Sequence, residues 1–327
     1  MRKILITGSA GFVGSNLVHY WNSTYPEDVV GVFDILTYAG TLNNLKGATY
    51  TFYQKDIGRA SDVLEVFNDF KPTLVFNAAS FTHVDRSIID PESFIRPNVT
   101  GVVNILNAAR IKKVPVIQMS TDEVIRHRDP TCIDEVVGVV PAPVSKRSRW
   151  IFHRPTEDNC EFYPQNPYAA SKLAAEAMVW SYRNTYKMPI TLIRSTNMYG
   201  PRQYPEKLLP LAVTKILAGE KIPVYGNGQY WRDFLYVDDF CRAFDLITQQ
   251  PPGKDWHVSA QDEKTNVEVL QELIKVMGKG ELQFVKDRPG HDKSYSLSSA
   301  KLRSLGWKPQ ISLPEGLTRL KESYKID

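Results

Sequence analysis

Short apolar runs alternate with segments of helical periodicity through the first half of the chain. The runs predict strands at Lys3–Thr7, Val29–Phe33, Tyr50–Gln54, Thr73–Asn77, Val114–Ser120 and Ile190–Arg194, and the segments between them predict helices, for instance Gly11–Asn22, Ser61–Phe70 and Val99–Lys112. Such alternation is typical of a parallel sheet with helices on both faces. The pattern therefore predicts an α/β fold with a doubly wound parallel sheet.

The pattern changes after about Asn197, where proline and glycine become frequent. We place most of a smaller, mixed α/β lobe there. A run from Tyr230 to Val237, followed by a helix from about Asp238 to Gln249, could return to the first lobe. The expected organisation is one domain formed by residues 1–196 with 230–258 and a smaller lobe formed by 197–229 with 259–327.

Composition and charge narrow the classes of protein. Hydrophobic residues make up 43% of the 327 residues and charged residues 23%, which is ordinary for a globular protein, and no apolar run could span a bilayer. The net charge of +4 suits a small anionic ligand better than nucleic acid. Three widely spaced cysteines show no metal-ligand pattern. We therefore expect no metal site and a reducing, cytoplasmic environment.

A glycine-rich turn from Gly8 to Gly14 follows the first predicted strand and opens the first predicted helix. Glycines there allow a tight turn and close approach of a pyrophosphate, which the helix N-terminus attracts. Asp34 ends the second strand, where an acid can bind the adenosine ribose hydroxyls and disfavour a 2′-phosphate. The segment predicts a Rossmann-type fold that binds NAD rather than NADP, with a ligand-free glycine turn as the alternative.

Two further motifs carry chemistry. Tyr168 and Lys172 lie four residues apart on one face of the predicted helix Ala169–Ser181, where the lysine ammonium and a cationic nicotinamide would favour a phenolate base. Asp122 and Glu123 follow a strand end, where they could act as general acid and general base. The alternatives are a surface pair on a helix for the first motif and a turn cap for the second.

Segments over almost the whole chain carry a family resemblance. They are Thr7–Gly14, Asp34–Gly40, His83–Ile88, Ser120–Val124, Tyr168–Lys172, Pro205–Pro210, Pro223–Gly226, Arg232–Val237 and Asp287–Asp292. In this order they resemble the extended short-chain dehydrogenase/reductases and, within them, the nucleotide-sugar 4,6-dehydratases.

The resemblance implies a role for each matching residue. The implied catalytic residues are Thr121, Tyr168 and Lys172 for oxidation, with Asp122 as acid and Glu123 as base for dehydration. The implied cofactor-binding positions are Gly8, Gly11, Phe12, Val13, Gly14, Asp34, Thr37, Gly40, Asp56, Ile57, Ala79, Asn98, Tyr168 and Lys172. The implied substrate-binding positions are Thr82, Asn197, Lys207, Leu208, Tyr225, Arg232, Arg288 and His291, whose cations suit a diphosphate.

The implied activity is an NAD-dependent 4,6-dehydration of a nucleotide-diphosphate hexose to a 4-keto-6-deoxy sugar. Asp122 favours elimination, because the related epimerases typically lack the adjacent acids and the glucuronate decarboxylases usually carry serine there. Epimerisation, another dehydration and non-catalytic sugar-nucleotide binding remain alternatives, and no residue distinguishes the nucleobase. The resemblance also implies a homodimer, paired through the helix of Tyr168 and the helix that ends near Ala108, Ala109 and Ile111.

The segment from Ile125 to about Gln165 is longer than the family pattern. It is basic and partly aromatic, with Arg126, His127, Arg128, Lys146, Arg147, Arg149, Trp150, Phe152 and Arg154. Cations suit phosphates and aromatic rings can close over a pocket, so one hypothesis is a lid that contacts the sugar nucleotide. The alternative is a solvated insertion with ordinary surface charge.

Overall fold

A seven-stranded parallel sheet forms the centre of the larger lobe in this computed structural model, which describes residues 1–132, 150–287 and 289–324. Its strands are β1 (Lys3–Thr7), β2 (Val29–Phe33), β3 (Thr51–Tyr53), β4 (Leu74–Asn77), β5 (Val116–Thr121), β8 (Ile190–Ser195) and β12 (Asp255–Val258). The order across the sheet is β12-β8-β5-β4-β1-β2-β3. Two short strands, β6 (Thr131–Cys132) and β7 (Trp150–Ile151), pair antiparallel outside it.

Helices cover both faces of this sheet because alternate side chains along each strand point to opposite sides. Ile4 and Ile6 of β1 join one apolar core with helices α1 (Phe12–Thr24) and α8 (Val237–Thr248). Leu5 joins the opposite core, which is built with α2 (Ala60–Phe70), α5 (Gly101–Lys112) and α6 (Pro167–Tyr186). Short helices α3 (Val84–Ile89) and α4 (Glu92–Ile95) lie before α5. Both faces of the strands are therefore buried, as in doubly wound sheets.

The smaller lobe combines two small sheets with three longer helices. Strands β9 (Asn197–Tyr199), β11 (Trp231–Tyr236) and β13 (Glu263–Thr265) form a mixed sheet, and β10 (Ile222–Tyr225) pairs parallel with β14 (Leu282–Val285). Helices α7 (Leu208–Leu217), α9 (Asn266–Met277) and α11 (Leu313–Ser323) share their apolar core, while α10 (Ala300–Arg303) lies outside that core. Within the part of the chain that the structure describes, no helix is both long and apolar enough to cross a membrane.

The predicted fold class is confirmed, with differences at particular elements. The predicted helix at Val99–Lys112 begins as a π-helical turn over Arg96–Thr100, and β12 is a strand that was not predicted. The run after Tyr230 divides: β11 belongs to the small mixed sheet, and only the helix α8 returns to the large one. The exact domain boundaries stay a prediction.

The predicted homodimer also stays a prediction, but part of its expected surface lies inside the protein. Ala108 and Ala109 are buried in the core between α5 and the sheet, so they cannot contact a second copy. Ile111 on the same helix is 58% exposed.

A buried ion pair joins the helix α6 to the sheet. Arg194 of β8 and Glu176 of α6 are both fully buried, and two guanidinium nitrogens of Arg194 contact the carboxylate at 2.6 to 3.1 Å. Ser120 at the end of β5 donates to the same carboxylate at 2.5 Å. The pair thus connects the helix that carries Tyr168 to the strand that ends at the two adjacent acids.

We expect Glu176→Gln to lower the free energy of unfolding by roughly 3–5 kcal/mol, because it removes the carboxylate that binds the buried Arg194 guanidinium most closely and leaves it only Asp255, at 3.2 Å. Urea denaturation measures the change. Glu281→Gln is the matched control, since Glu281 pairs with Lys221 on the surface and such pairs contribute about 0–1 kcal/mol. Equal losses in the two variants would contradict the structural role of the buried pair.

Candidate active site

A cleft of about 530 Å³ opens between the two lobes at the carboxyl ends of the parallel strands. The larger lobe contributes residues that follow β4, β5 and β8, where ligands bind in open α/β sheets. The smaller lobe contributes residues of β10, β11 and α9. The predicted site residues that line the cleft are Phe12, Val13, Thr82, Thr121, Asp122, Glu123, Tyr168, Lys172, Asn197, Lys207, Leu208, Tyr225, Arg232 and His291. Arg288 lies outside the described residues.

The glycine turn after β1 is shaped for close approach of a ligand to the backbone. Gly8 has φ +65°, and a Cβ there would lie 2.7 Å from the Ala79 Cα. A Cβ on Gly14 would lie 2.5 Å from the Gly8 carbonyl oxygen. The buried Ser9 hydroxyl has no hydrogen-bond partner among the described residues. This geometry fits the pyrophosphate-binding turn of a dinucleotide site, with the N-terminus of α1 directly behind it.

Asp34 is held rigidly at the end of β2. Its carboxylate accepts hydrogen bonds from the backbone nitrogens of Ala10, at 2.9 Å, and Leu36, at 2.8 Å. Burial raises the pKa of Asp34, and these two bonds act in the opposite direction. Gly40 leaves room beside the carboxylate, because a Cβ there would lie 3.0 Å from Asp34 Oδ1. The acid is thus fixed where the sequence predicts that it binds the ribose.

Other predicted cofactor positions shape the backbone around this groove. Asp56 accepts from the Gly58 nitrogen at 2.7 Å and from Arg96 at 2.5 Å. Asn98 accepts from the Phe81 nitrogen at 2.8 Å and donates to the Ser171 hydroxyl at 2.8 Å. Ile57 is buried, and Gly11, Thr37 and Ala79 lie in the loops that follow strands. Their cofactor contacts stay predictions.

Thr121 and Asp122 form the centre of the cleft, where β5 ends in a 3₁₀ turn over Asp122–Val124. The Thr121 hydroxyl donates to Asp122 Oδ1 at 3.0 Å and accepts from the Glu123 nitrogen at 3.3 Å. Asp122 is 1% exposed, and its Oδ2 has no hydrogen-bond partner among the described residues. Burial, followed by the charge of Glu123, raises the pKa of Asp122 well above its ordinary value. Both effects favour the protonated form of Asp122, which is the form that can donate a proton.

Glu123 points to a different environment from its neighbour. Its Oε2 accepts from the Asn166 side-chain amide at 3.0 Å, and Asn166 caps α6 by accepting from the Ala169 nitrogen at 2.8 Å. One amide therefore fixes both the carboxylate of Glu123 and the start of the helix that carries Tyr168.

Tyr168 and Lys172 lie buried on the cleft side of α6. The sequence predicts that the Lys172 ammonium acts beside the Tyr168 phenol, but in the structure it donates a hydrogen bond to a backbone carbonyl. Lys172 Nζ donates to the Met119 carbonyl oxygen at 2.7 Å, and burial lowers the pKa of Lys172 to about 8. Burial and then the charge of Glu123 raise the pKa of Tyr168, while a hydrogen bond with Thr121 lowers it. In the protein alone Tyr168 is therefore a neutral phenol, and the phenolate predicted from the sequence needs the positive charge of a bound nicotinamide.

Two of the predicted phosphate cations, Lys207 and Arg232, line the cleft. Lys207 Nζ donates to the Thr82 carbonyl oxygen at 2.7 Å and so crosses between the lobes. Arg232 is 6% exposed, donates to the Asp292 carbonyl oxygen at 2.8 Å and lies over the Tyr295 ring at 4.1 Å.

Polar groups that the sequence motifs did not predict also line the cleft. Asn266 and Glu206 each have a buried side-chain oxygen that finds no hydrogen-bond partner within the described residues, as does the predicted Asn197. Asn266 directly follows β13 and begins α9, which is the signal that could have found it. Glu206 lies inside a segment that carried the family resemblance but was given no role.

The described flanks of the long insertion pack against the protein. Arg126 contacts Glu161 at 3.3 Å and lies over the Tyr163 ring at 4.2 Å. Arg154 forms an ion pair with Glu263 of the smaller lobe. These contacts favour a structural role for the flanks, while Lys146, Arg147 and Arg149, on which the lid hypothesis depends, lie outside the described residues.

Comparison with known proteins agrees with this geometry. Residues 4–259 match the profile of the NAD dependent epimerase/dehydratase family. The chain is 34% identical over 336 residues to a dTDP-glucose 4,6-dehydratase from Escherichia coli, which covers 97% of this chain and 92% of the relative. It is also similar to the solved structure of a dTDP-glucose 4,6-dehydratase from Streptomyces venezuelae with NAD bound, at 34% identity, a TM-score of 0.88 and 99% and 97% coverage. A UDP-glucose 4-epimerase from Thermotoga maritima gives 26% identity, a TM-score of 0.86 and 99% and 98% coverage.

We expect the protein to bind NAD more tightly than NADP, because the charge of Asp34 opposes a 2′-phosphate. Asp34→Asn should narrow this preference by raising the affinity for NADP relative to NAD, as calorimetric titration of both cofactors would show. Asp262→Asn serves as control, since it removes one exposed charge from the smaller lobe. Equal or tighter NADP binding by the unaltered protein would refute the assignment.

Proposed function

This chain belongs to the NAD-dependent epimerase/dehydratase family, and we propose that it catalyses the 4,6-dehydration of a nucleotide-diphosphate hexose. The observation that carries the proposal is the placement of Asp122, whose buried carboxyl group lines the cleft beside Glu123 and Tyr168 with one oxygen that has no hydrogen-bond partner among the described residues. Burial and the charge of Glu123 raise the pKa of Asp122, which suits it to donate a proton in the elimination of water. Epimerisation by oxidation and reduction at one carbon has no use for such an acid.

The groove formed by the glycine turn and Asp34 would hold the cofactor with its nicotinamide end toward Tyr168. When bound there, NAD supplies the redox chemistry, taking a hydride from C4 of the sugar and returning it to C6. Tyr168 removes the proton of the 4-hydroxyl, with Thr121 contacting its phenol. Lys172, fixed by the Met119 carbonyl, adds positive charge on the same side of the cleft.

The two acids then remove water across C5 and C6. The C4 ketone acidifies the C5 proton, which Glu123 takes while Asn166 holds its carboxylate in place. Asp122 donates its proton to the 6-hydroxyl, which leaves as water. In the final reduction a proton returns to C5 from Glu123, Tyr168 releases its proton to solvent, and Asp122 regains one. The net change is the loss of one water from the hexose.

A second candidate is epimerisation of a nucleotide sugar. The similarity to the Thermotoga maritima epimerase supports it, because the TM-score of 0.86 is nearly that of the dehydratase from Streptomyces venezuelae. The fold alone therefore does not separate the two reactions. The acid pair supports dehydration.

A product assay tests the proposal directly. Purified protein with NAD is mixed with dTDP-glucose, UDP-glucose and further nucleotide hexoses, and the products are identified by mass and by the keto group. From at least one substrate we expect a 4-keto product that is lighter by about 18 mass units, the mass of one water. The reason is that the two redox steps cancel and only water leaves. An epimer of unchanged mass would favour the second candidate instead.

The proposed roles of Tyr168 and of the two acids predict defects at different steps of the reaction. Tyr168→Phe should abolish hydride transfer, so that no reduced nicotinamide forms. The double variant Asp122→Asn with Glu123→Gln should still oxidise C4 but eliminate water ~10²–10⁴-fold more slowly, because it lacks the positioned acid and base. Reduced nicotinamide, followed by its absorbance, should then accumulate. Elimination at the wild-type rate in the double variant would contradict these roles.

A further inference from the structure

His127 contacts the turn of Asp122 and the smaller lobe at the same time. Its Nε2 lies 2.9 Å from the Asp122 backbone carbonyl oxygen, and its Nδ1 lies 3.2 Å from the Ser296 backbone nitrogen. Because the Ser296 N–H can only donate, Nδ1 accepts, and the proton of the neutral ring is on Nε2, which donates to Asp122. Burial lowers the pKa of His127 to about 4, so this neutral form persists at physiological pH.

The segment on the far side of His127 lines the cleft. The Tyr295 ring meets the His127 ring edge to face, with centroids 5.3 Å apart, and Tyr295 lines the same cavity as Asp122. Arg232 lies over the Tyr295 ring and donates to the Asp292 carbonyl oxygen. His127 therefore links the proposed proton donor to the side of the cleft that carries a proposed phosphate cation.

The Asp122 turn does not need His127 in order to form. The Ile125 nitrogen donates to the same Asp122 carbonyl oxygen at 3.0 Å, and the Thr121 hydroxyl accepts from the Glu123 nitrogen. These local bonds close the turn, and Val124 with the following Ile125 also packs against Leu297 of the smaller lobe in one apolar cluster. Apolar contacts are non-directional, whereas His127 adds a directional hydrogen-bonded connection between Asp122 and Ser296. Its removal should therefore leave the turn folded and change how the Asp122 side chain is aligned with the substrate.

We propose that His127 is a positioning residue for water elimination, holding the Asp122 turn against the Tyr295–Ser296 segment so that the acid meets the departing 6-hydroxyl. The proposal rests on the proposed function and adds a residue to it that acts through a backbone carbonyl. Its position in the insertion had suggested a cation for phosphate, but the neutral ring serves as a hydrogen-bond bridge.

Three substitutions separate the two hydrogen bonds of the ring. His127→Phe keeps a ring against Tyr295 and removes both bonds. His127→Gln places a donor near the position of Nε2, so it can keep the bond to Asp122. His127→Asn places an acceptor near the position of Nδ1, so it can keep only the bond from Ser296. Thermal unfolding of each variant shows how much stability was lost.

The measured quantities are kcat, KM and the amount of reduced nicotinamide during turnover of the best nucleotide hexose. We expect His127→Phe to lower kcat for elimination roughly 10- to 100-fold, since misplacing a catalytic group by about 1 Å can cost 10²-fold. Oxidation depends on Tyr168 and Lys172, so reduced nicotinamide should accumulate and kcat should change more than KM. His127→Gln should recover most of kcat, and His127→Asn should not.

His257→Phe is the matched control. His257 is also buried and neutral. Its ring joins the Pro155 carbonyl oxygen of the insertion to Arg194, and its hydrogen bonds in the described structure do not reach the Asp122 turn. Its loss should lower stability without accumulation of reduced nicotinamide. The same accumulation in His257→Phe, or unchanged elimination in His127→Phe, would overturn the positioning role alone. A wild-type protein that converts no nucleotide hexose to a keto product would overturn this role together with the proposed function.

Discussion

The site depends on the burial of one carboxyl group, that of Asp122, inside the protein. An isolated carboxylate in an apolar interior is costly, so a buried acid either finds partners or keeps its proton. Asp122 has one hydrogen bond from Thr121 and an adjacent negative charge on Glu123, and both its burial and that charge favour the neutral form. Residues of both lobes close the end of β5 around Asp122 and so bury its carboxyl group.

Two adjacent residues can take opposite roles because the 3₁₀ turn sends their side chains to different surroundings. Asp122 is almost completely buried, whereas Glu123 is partly exposed and bound by the amide of Asn166. The same amide caps the helix of Tyr168. The proposed acid, base and oxidation residue are thus positioned by one connected set of hydrogen bonds rather than by three independent elements.

The sequence predicted the parts of this site that depend on local pattern. The glycine turn, Asp34 at the end of β2, the acids after β5 and the pair Tyr168–Lys172 each lie within one short segment, so local pattern drew attention to them and the family resemblance implied their roles, which stay predictions. The bond of Lys172 to the Met119 carbonyl, the burial that raises the pKa of Asp122 and the bridge through His127 depend on contacts between residues far apart in the chain. Strand β12 was missed for a similar reason: its buried His257 is accommodated by Arg194 and Pro155, which no local pattern reveals.

The contacts of the insertion in its described flanks differ from those that its composition suggested. Its cations suggested contact with phosphate, but in the described flanks Arg126 and Arg154 pair with Glu161 and Glu263. Ile125 bridges to Phe162, and the Pro155 carbonyl oxygen accepts from the Ser298 nitrogen of the smaller lobe. The insertion therefore begins at the Asp122 turn, and its second described flank returns along the junction of the two lobes. A segment placed in this way can change the alignment of the acid with the substrate without altering any residue that lines the cleft.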